Sequence, residues 1–482
     1  MIRGIGPSSL LESLALAAMG QASEPLTQLT PAEPIARIAS RLSVFEGYIG
    51  VLMTAFIITL CATPIMRRLA VAHGVIDRPN EARKIHRIPI AYLGGVAVYL
   101  GLLGGVLYSY LAAKFDGLID WHVTKFIHSE FVDHAPVPVS ILLGMTVIML
   151  VGVIDDVTGI SPRVKIGGQL FAAAALAVDN VGVKLAAGLL IPTATSLGIP
   201  TTTFADGTQT LLLNIPLPFA VAGAHAIPID IVYWTGTAII AIAVLGLCNA
   251  SNLIDGLDGL LSGTTAITAI GLLVVALGLA LADDGPRDAQ RVILCLALLG
   301  ACLGFLPHNF NPATIFLGDA GSLLLGFMTC VIILMMGDTG KTWLVFAGLV
   351  IYALPIMDTT LAIVRRKMEG KPISSADDQH LHHMLKRALG VKGAVVSLYA
   401  MAGAFAVLGV GITFIRARSV YFLAAVLAAY VGVTAIKIAR RRAIESQAAE
   451  YEAKRAAGLV ASPTTPVPQS ATPAGEPSPK RA

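Results

Sequence analysis

The sequence predicts an all-α, polytopic integral membrane protein with about eleven transmembrane helices. Two observations lead there. Of 482 residues, 55% are hydrophobic and only 13% charged, with a mean hydropathy of +0.76, which is too apolar and too poor in charge for a soluble chain of this length. Apolar runs of about twenty residues, the length that crosses hydrocarbon as a helix, also recur along most of the chain.

In order, the runs fall near 44–66, 91–113, 137–154, 166–183, 230–248, 260–282, 291–307, 320–336, 343–364, 394–414 and 420–437. The fourth is the weakest, because Asp179, Asn180 and Lys184 intrude. Residues 44–437 are therefore read as one transmembrane domain, preceded by a segment, 1–43, that the orientation argued below places outside the cytoplasm. That segment contains the patch LLESLALAAMG, but Glu12 interrupts it and no signal peptide is assigned. Residues 438–482 turn Ala-, Pro-, Ser- and Thr-rich and read as a disordered cytoplasmic tail. Between Leu185 and Ile229 the chain reads as an extended or hairpin-like loop. The five cysteines lie in or beside spans without the paired short spacing of a metal or redox motif.

Orientation follows from the distribution of Lys and Arg beside the spans. Arg67 to Arg87, Arg163 with Lys165, Arg365 to Arg387, and Arg440 to Arg442 fall on one side if the spans alternate. That side is expected to be the cytoplasm, with the N-terminus outside.

Four polar clusters share that side, each where an apolar run meets a loop: Asp155 with Asp156, NASNLIDGLDG from Asn249 to Gly259, FLGDAGS around Asp319, and DDQHLHH ending at His383. Ionisable groups beside hydrocarbon are expensive, so their concentration at one depth marks a functional site. Loop acids that merely solubilise helix ends would account for one cluster, and poorly for four together.

Each cluster has its own chemistry. Adjacent Asp155 and Asp156 diverge on a helix end, so one can bind a cation or accept a proton while a basic neighbour such as Lys165 holds the other. If the chain is helical there, Asn252, Asp255 and Asp258 stack on one face. Gly318, Gly321 and Ser322 around Asp319 suit phosphate oxygens at a helix N-terminus, and Asp319 offers Mg²⁺ a hard oxygen. His380, His382 and His383 lack a zinc pair's spacing, and their cationic neighbours favour an anion instead. In the first loop, DRPNEARKIHRIPIAYLGG, Arg83, Lys84 and His86 suggest a phosphate-facing segment, although a positive-inside anchor would need no more than its basic residues.

Together DRPNEARKIHRIPIAYLGG, VIDD, NASNLIDGLDG, FLGDAGS, PIMDTTLAIVRR and DDQHLHH, in this order, resemble the polyprenyl-phosphate N-acetylhexosamine-1-phosphate transferases. The resemblance covers about residues 44–437. HLHH after Asp377 and Asp378, with the paired Arg365 and Arg366, looks more like the N-acetylglucosaminyl branch than the phospho-N-acetylmuramoyl-pentapeptide branch. It implies a bacterial inner-membrane enzyme that moves N-acetylglucosamine 1-phosphate from a UDP-sugar to undecaprenyl phosphate. UMP is released, and a lipid-linked envelope polysaccharide such as lipopolysaccharide O-antigen is begun.

The resemblance and the chemistry of phosphoryl transfer assign Asp255 and Asp319, supported by Asn252, to Mg²⁺, with Mn²⁺ as a substitute. Asp155, Asp156 and Asp258 are the candidate catalytic residues, Asp155 to take the proton of the lipid phosphate or align it. Arg83, Lys84, His86, Asn249, Arg365, His380, His382 and His383 are candidate substrate-binding residues. The expected partners are undecaprenyl phosphate, a UDP-N-acetylhexosamine, membrane lipid and a second copy in a homodimer, with no nucleic acid. An alternative is a related transferase using another UDP-N-acetylhexosamine or UDP-MurNAc-pentapeptide. A transporter would instead need polar groups near the midplane of several spans, and a silent scaffold would not need the acids at all.

Overall fold

Long apolar stretches with polar groups only at their ends can satisfy every backbone donor and acceptor within a bilayer only as helices, and helices dominate the computed structural model. It describes residues 46–77, 89–112, 115, 137–204, 209–221, 224–282, 287–338, 340–368, 370, 372 and 380–415, with isolated positions beyond. The expected Arg83, Lys84 and His86 lie outside the described residues, as do the segment 1–43 and nearly all of the eleventh run. By contacts the chain divides into two units, Met1–Tyr430 and Val431–Ala482, and every element below belongs to the first.

In chain order these are α1 (Ile49–Ala72), β1 (Ile76–Asp77), β2 (Ile90–Ala91), α2 (Gly94–Ala112), α3 (Val139–Thr158), α4 (Pro162–Val178) and α5 (Lys184–Ser196). Then come β3 (Thr202–Thr203), β4 (Gln209–Thr210), β5 (Leu212–Val221), β6 (Ala224–Asp230), α6 (Ile231–Ile254), α7 (Leu260–Leu281) and α8 (Asp288–Asn309). The series closes with α9 (Gly318–Met335), α10 (Thr342–Ile351), α11 (Ala353–Met368) and α12 (Leu381–Ile415), the last broken at Gly390. The strands form three two-stranded antiparallel sheets, among them the β5–β6 hairpin expected before residue 230.

Among the described residues eight helices are long and apolar enough to cross a membrane, or nine if α10 and α11, which meet at a 79° bend, count as one broken span. Of the eleven expected runs, the last lies almost wholly outside the described residues, and two others depart from a plain span for local reasons. The fourth run becomes α4, whose 17 residues reach only about 26 Å before Asp179 and a left-handed Asn180 (φ 53°) stop it. The ninth run breaks at Tyr352, between α10 and α11.

α9 forms the centre of the bundle. Its membrane-length window is 89% buried, against 28% for α1 at the periphery. α2, α3 and α6 pack around α9, while α8 joins α1 to α7. Backbone hydrogen bonds splice β2 to the segment before α9: Phe316 N–H donates to Ala91 O, and Gly94 and Gly95 donate to Phe316 O and Leu317 O. The ends of α3 and α6 and the starts of α4 and α9 therefore meet at one end of the bundle, here the acidic end.

Candidate active site

Asp319 lies in the first turn of α9, where backbone N–H groups have no partners within the helix. Asp156, from the last turn of α3, supplies acceptors. Its Oδ1 accepts the N–H of Asp319 at 2.7 Å and its Oδ2 that of Ala320 at 3.1 Å. One helix thus caps another, a job normally done by the residue just before the helix. Gly318 makes room: it holds φ 68°, and a side chain there would collide with the Asp156 carboxylate. The glycine-flanked turn expected to cradle phosphate is instead occupied by Asp156. Ser322, also expected there, is buried and accepts a hydrogen bond from Asn252.

Asp155 turns away from its neighbour, as adjacent residues on a helix do. It accepts the N–H of Ile160 at 2.8 Å and pairs with Lys165 at 2.5 Å. Lys165, in the first turn of α4, pairs also with Asp319 Oδ2. The basic neighbour foreseen for the aspartate pair therefore joins two clusters. On the other side of Asp319, Asn252 Nδ2 donates to Oδ1 at 2.7 Å and to Ser322 Oγ at 2.9 Å.

The expected stripe of Asn252, Asp255 and Asp258 does not form, because α6 stops at Ile254 and Asp255 takes φ −74°, ψ 58°. The two acids diverge. Asp258 Oδ2 accepts from Asn311 Nδ2 at 2.8 Å and from Ala313 N–H at 3.0 Å. It fastens the loop that delivers α9. Asp255 accepts no hydrogen bond among the described residues. Burial, and then the carboxylates of Asp319, Asp156 and Asp258, push its carboxyl up to about 8. An enclosed acid with acidic neighbours and no donor is stabilised by a cation.

Asn249 points elsewhere. Its amide donates to Gln169 Oε1 at 3.0 Å and to Leu245 O at 2.8 Å, and Gln169 is wholly buried. The residue ties α6 to α4 inside the bundle, which does not suit the substrate contact expected of it.

The histidines form a second group. Asp358, buried in α11, accepts from His380 Nδ1 at 2.9 Å and from Leu381 N–H at 2.8 Å, while His382 Nδ1 lies 3.8 Å from the same Oδ2 that His380 reaches. A neutral His380 donating through Nδ1 presents Nε2 as an acceptor. The rings of His380 and His382 stack at 5.5 Å, and His383 lies 4.2 Å from His382. His382 Nε2 abuts Gly256, where any side chain would strike it. The histidine block thus reaches the turn that carries Asp255. Arg365 is buried two turns beyond Asp358 on the same face of α11. One ligand atom from each of Asp358, His380 and His382 lies within 4.8 Å of the others, but the 2.9 Å separation of Asp358 and His380 is that of a hydrogen bond.

Two residues stand outside the expected catalytic, metal and substrate-binding sets. Asp358 stood in view as a lone acid within an apolar run, the costliest place for one. Lys165 was noticed beside Asp155, and its reach to Asp319, 154 positions along the chain, had no local signal.

The donors suit a hard divalent cation. Asp255, Asp319 and the side-chain oxygen of Asn252 offer oxygen only, and Mg²⁺ binds by one or two carboxylates together with substrate phosphates.

Residues 138–337, from α3 to just beyond α9, match the model of the family described as glycosyl transferase family 4. The chain is 33% identical over 376 residues to the decaprenyl-phosphate N-acetylglucosaminephosphotransferase of Mycolicibacterium smegmatis, covering 73% of this chain and 79% of that one. It is 29% identical to the probable undecaprenyl-phosphate N-acetylglucosaminyl 1-phosphate transferase of Bacillus subtilis, covering 74% and 83%. It is 27% identical to the undecaprenyl-phosphate alpha-N-acetylglucosaminyl 1-phosphate transferase of Escherichia coli K12, covering 70% and 76%.

Proposed function

Because the chain belongs to the polyprenyl-phosphate N-acetylhexosamine-1-phosphate transferases of glycosyl transferase family 4, we propose that it transfers N-acetylglucosamine 1-phosphate from UDP-N-acetylglucosamine to undecaprenyl phosphate. The relatives are named for N-acetylglucosamine donors and for either decaprenyl or undecaprenyl carriers. The observation that carries the reading is the convergence on Asp319 of Lys165, Asn252 and, through the backbone, Asp156, at the end of an apolar bundle. A lipid phosphate arrives at that depth from the membrane, and a nucleotide from the water beside it.

In the reaction an oxygen of the lipid phosphate attacks the β-phosphorus of the donor. The bond from that phosphorus to the bridging oxygen breaks, and UMP leaves with the bridging oxygen. Such transfer depends on in-line positioning and charge neutralisation. Asp255 and Asp319, with Asn252, would hold Mg²⁺ or Mn²⁺, which neutralises the diphosphate. Lys165 brings a positive charge to the same place. Asp155, oriented by Lys165 and Ile160, takes the proton of the lipid phosphate or aligns that phosphate. Asp156 keeps Asp319 in place. His380, His382 and Arg365, with His383 at their edge, hold the diphosphate or the sugar. The acidic end faces the cytoplasm, where UDP-sugars are available, and the product begins an envelope polysaccharide.

The test is UMP release by the purified protein given Mg²⁺, undecaprenyl or decaprenyl phosphate, and a panel of UDP-sugars. Release with UDP-N-acetylglucosamine, and less with UDP-N-acetylgalactosamine or UDP-MurNAc-pentapeptide, is expected. A preference for another donor would overturn the substrate assignment, and release with none would overturn the reaction.

A further inference from the structure

The β5–β6 hairpin plays no part in the chemistry above, and its side chains are sorted by face. Directly opposed residues of an antiparallel pair share a face. Leu213 opposes Ile229 and Ile215 opposes Ile227, so four branched aliphatic side chains stand together on one side. Leu212 with Asp230 and Asn214 with Pro228 occupy the other. Among the described residues no helix covers the aliphatic side: Leu213, Ile215 and Ile227 are 52%, 43% and 51% exposed, and Ile229 is half-buried. A lone two-stranded hairpin is marginal in water, and both faces of this one are open, with Asn214 and Pro228 exposed on the other side.

Its position selects the partner. β6 runs without a break into α6, and Asp230, at the junction, accepts the N–H of Tyr233 at 2.9 Å and a hydrogen bond from Thr210. The hairpin is therefore fixed to the first turn of a membrane-length helix. Tyr233 and Trp234 lie in that turn, packed edge to face at 5.8 Å with Trp234 62% exposed. Tyr and Trp gather where hydrocarbon meets headgroups, so the boundary of the bilayer passes within one turn of the hairpin's base. The 24 residues of α6 separate that boundary from Asp255 by about 36 Å, the width of a membrane. Pro216 and Pro228 remove ladder donors from both strands, which opposes pairing with a strand of another chain.

We propose that the hairpin is an in-plane membrane anchor. It lies in the interfacial layer on the side away from the acidic end, with Leu213, Ile215, Ile227 and Ile229 turned toward the acyl chains. Amphipathic helices make the same use of one apolar face.

The experiment places the photoreactive residue p-benzoylphenylalanine singly at Ile215, Ile227, Asn214 or Ile242 of the full chain. Ile242 is the positive control, being 70% exposed in the middle of α6. Each protein that elutes as a single species is reconstituted in phosphatidylethanolamine and phosphatidylglycerol vesicles, irradiated and weighed intact. Phospholipid adducts at 215 and 227 should approach the yield at 242 and exceed that at 214 severalfold. Chain-to-chain adducts at 215 and 227 would instead make the hairpin an interface between copies. Equal labelling at 214, or none at 215 and 227 while 242 is labelled, would equally overturn the anchor.

Discussion

Asp156 holds Asp319 by its backbone, accepting the N–H at 2.7 Å across a gap of 163 positions in the chain. The contact fixes where the Asp319 carboxylate begins without touching the carboxylate itself. Asp156→Ala should therefore lower both stability and turnover. Loss of such a cap costs about 1–2 kcal/mol, visible as a lower Tm in detergent. Asp156→Asn, which keeps one acceptor oxygen, should lose less. An unchanged Tm in Asp156→Ala would refute the cap.

Asp319 itself should behave differently. Asp319→Asn keeps the shape and the backbone bonds, so Tm should stay near that of the native protein. Turnover should fall by at least about a hundredfold, the usual cost of removing one group that stabilises transition-state charge. Asp255→Asn should match it. Near-normal UMP release in either variant would remove that residue from the metal assignment.

Lys165 stands between Asp155 and Asp319 as a tethered cation and competes with any metal for the same oxygens. Lys165→Met should bind Mn²⁺ more tightly in the absence of substrates, by about tenfold if the competition is worth ~1.4 kcal/mol, and yet turn over more slowly. Paramagnetic resonance of free Mn²⁺ measures the first effect, UMP release the second. Weaker Mn²⁺ binding would mean that Lys165 supports the metal.

The raised carboxyl of Asp255 has a pH signature. Its neutral form is favoured up to about pH 8, whereas a metal needs the carboxylate, so binding must release one proton. Apparent Mg²⁺ affinity should climb by nearly tenfold per pH unit as pH rises toward 8, then level off. Asp255→Asn should flatten the profile, and a profile that stays steep in that variant would place the proton on another group.

Asp358 acts through the histidines. Asp358→Asn should lower kcat/KM by roughly 10–100-fold, the range for a carboxylate lost from behind a metal-ligating histidine, applied here to histidines that hold substrate. Adding His380→Ala to that variant should cost little more, since the two form one unit. Added zinc should not improve the native enzyme. Fully additive losses would show that Asp358 and His380 work separately.

Much of the site was legible because charge beside hydrocarbon is expensive. Asp155, Asp319 and the histidines could be picked out by that cost alone, and the structure brings them to one end of the bundle. The sequence was silent on direction. Asp155 and Asp156 look alike as letters, and only the packing of α3 against α9 turns one toward Lys165 and the other into a cap. The helical spacing of Asp255 and Asp258 misled because Asp255 ends α6, which periodicity does not report. Asn249 shares a motif with Asn252, but one turn of helix carries it from the cluster to Gln169. Hydropathy alone also missed geometry at two of the expected runs, at the short α4 and at the bend beside Tyr352.

The distance along the chain between Asp156 and Asp319 also has a bearing on synthesis. At 5–20 residues per second, roughly 10–30 s separate the emergence of the two. During that interval α3 and α4 are already made, with Asp155 and Lys165 able to find each other, while the helix that Asp156 will cap does not yet exist. Until α9 has threaded into the middle of its predecessors, the proposed donor site is incomplete. A ribosome stalled before Asp319 leaves a fragment that lacks the carboxylate on which the proposed chemistry converges.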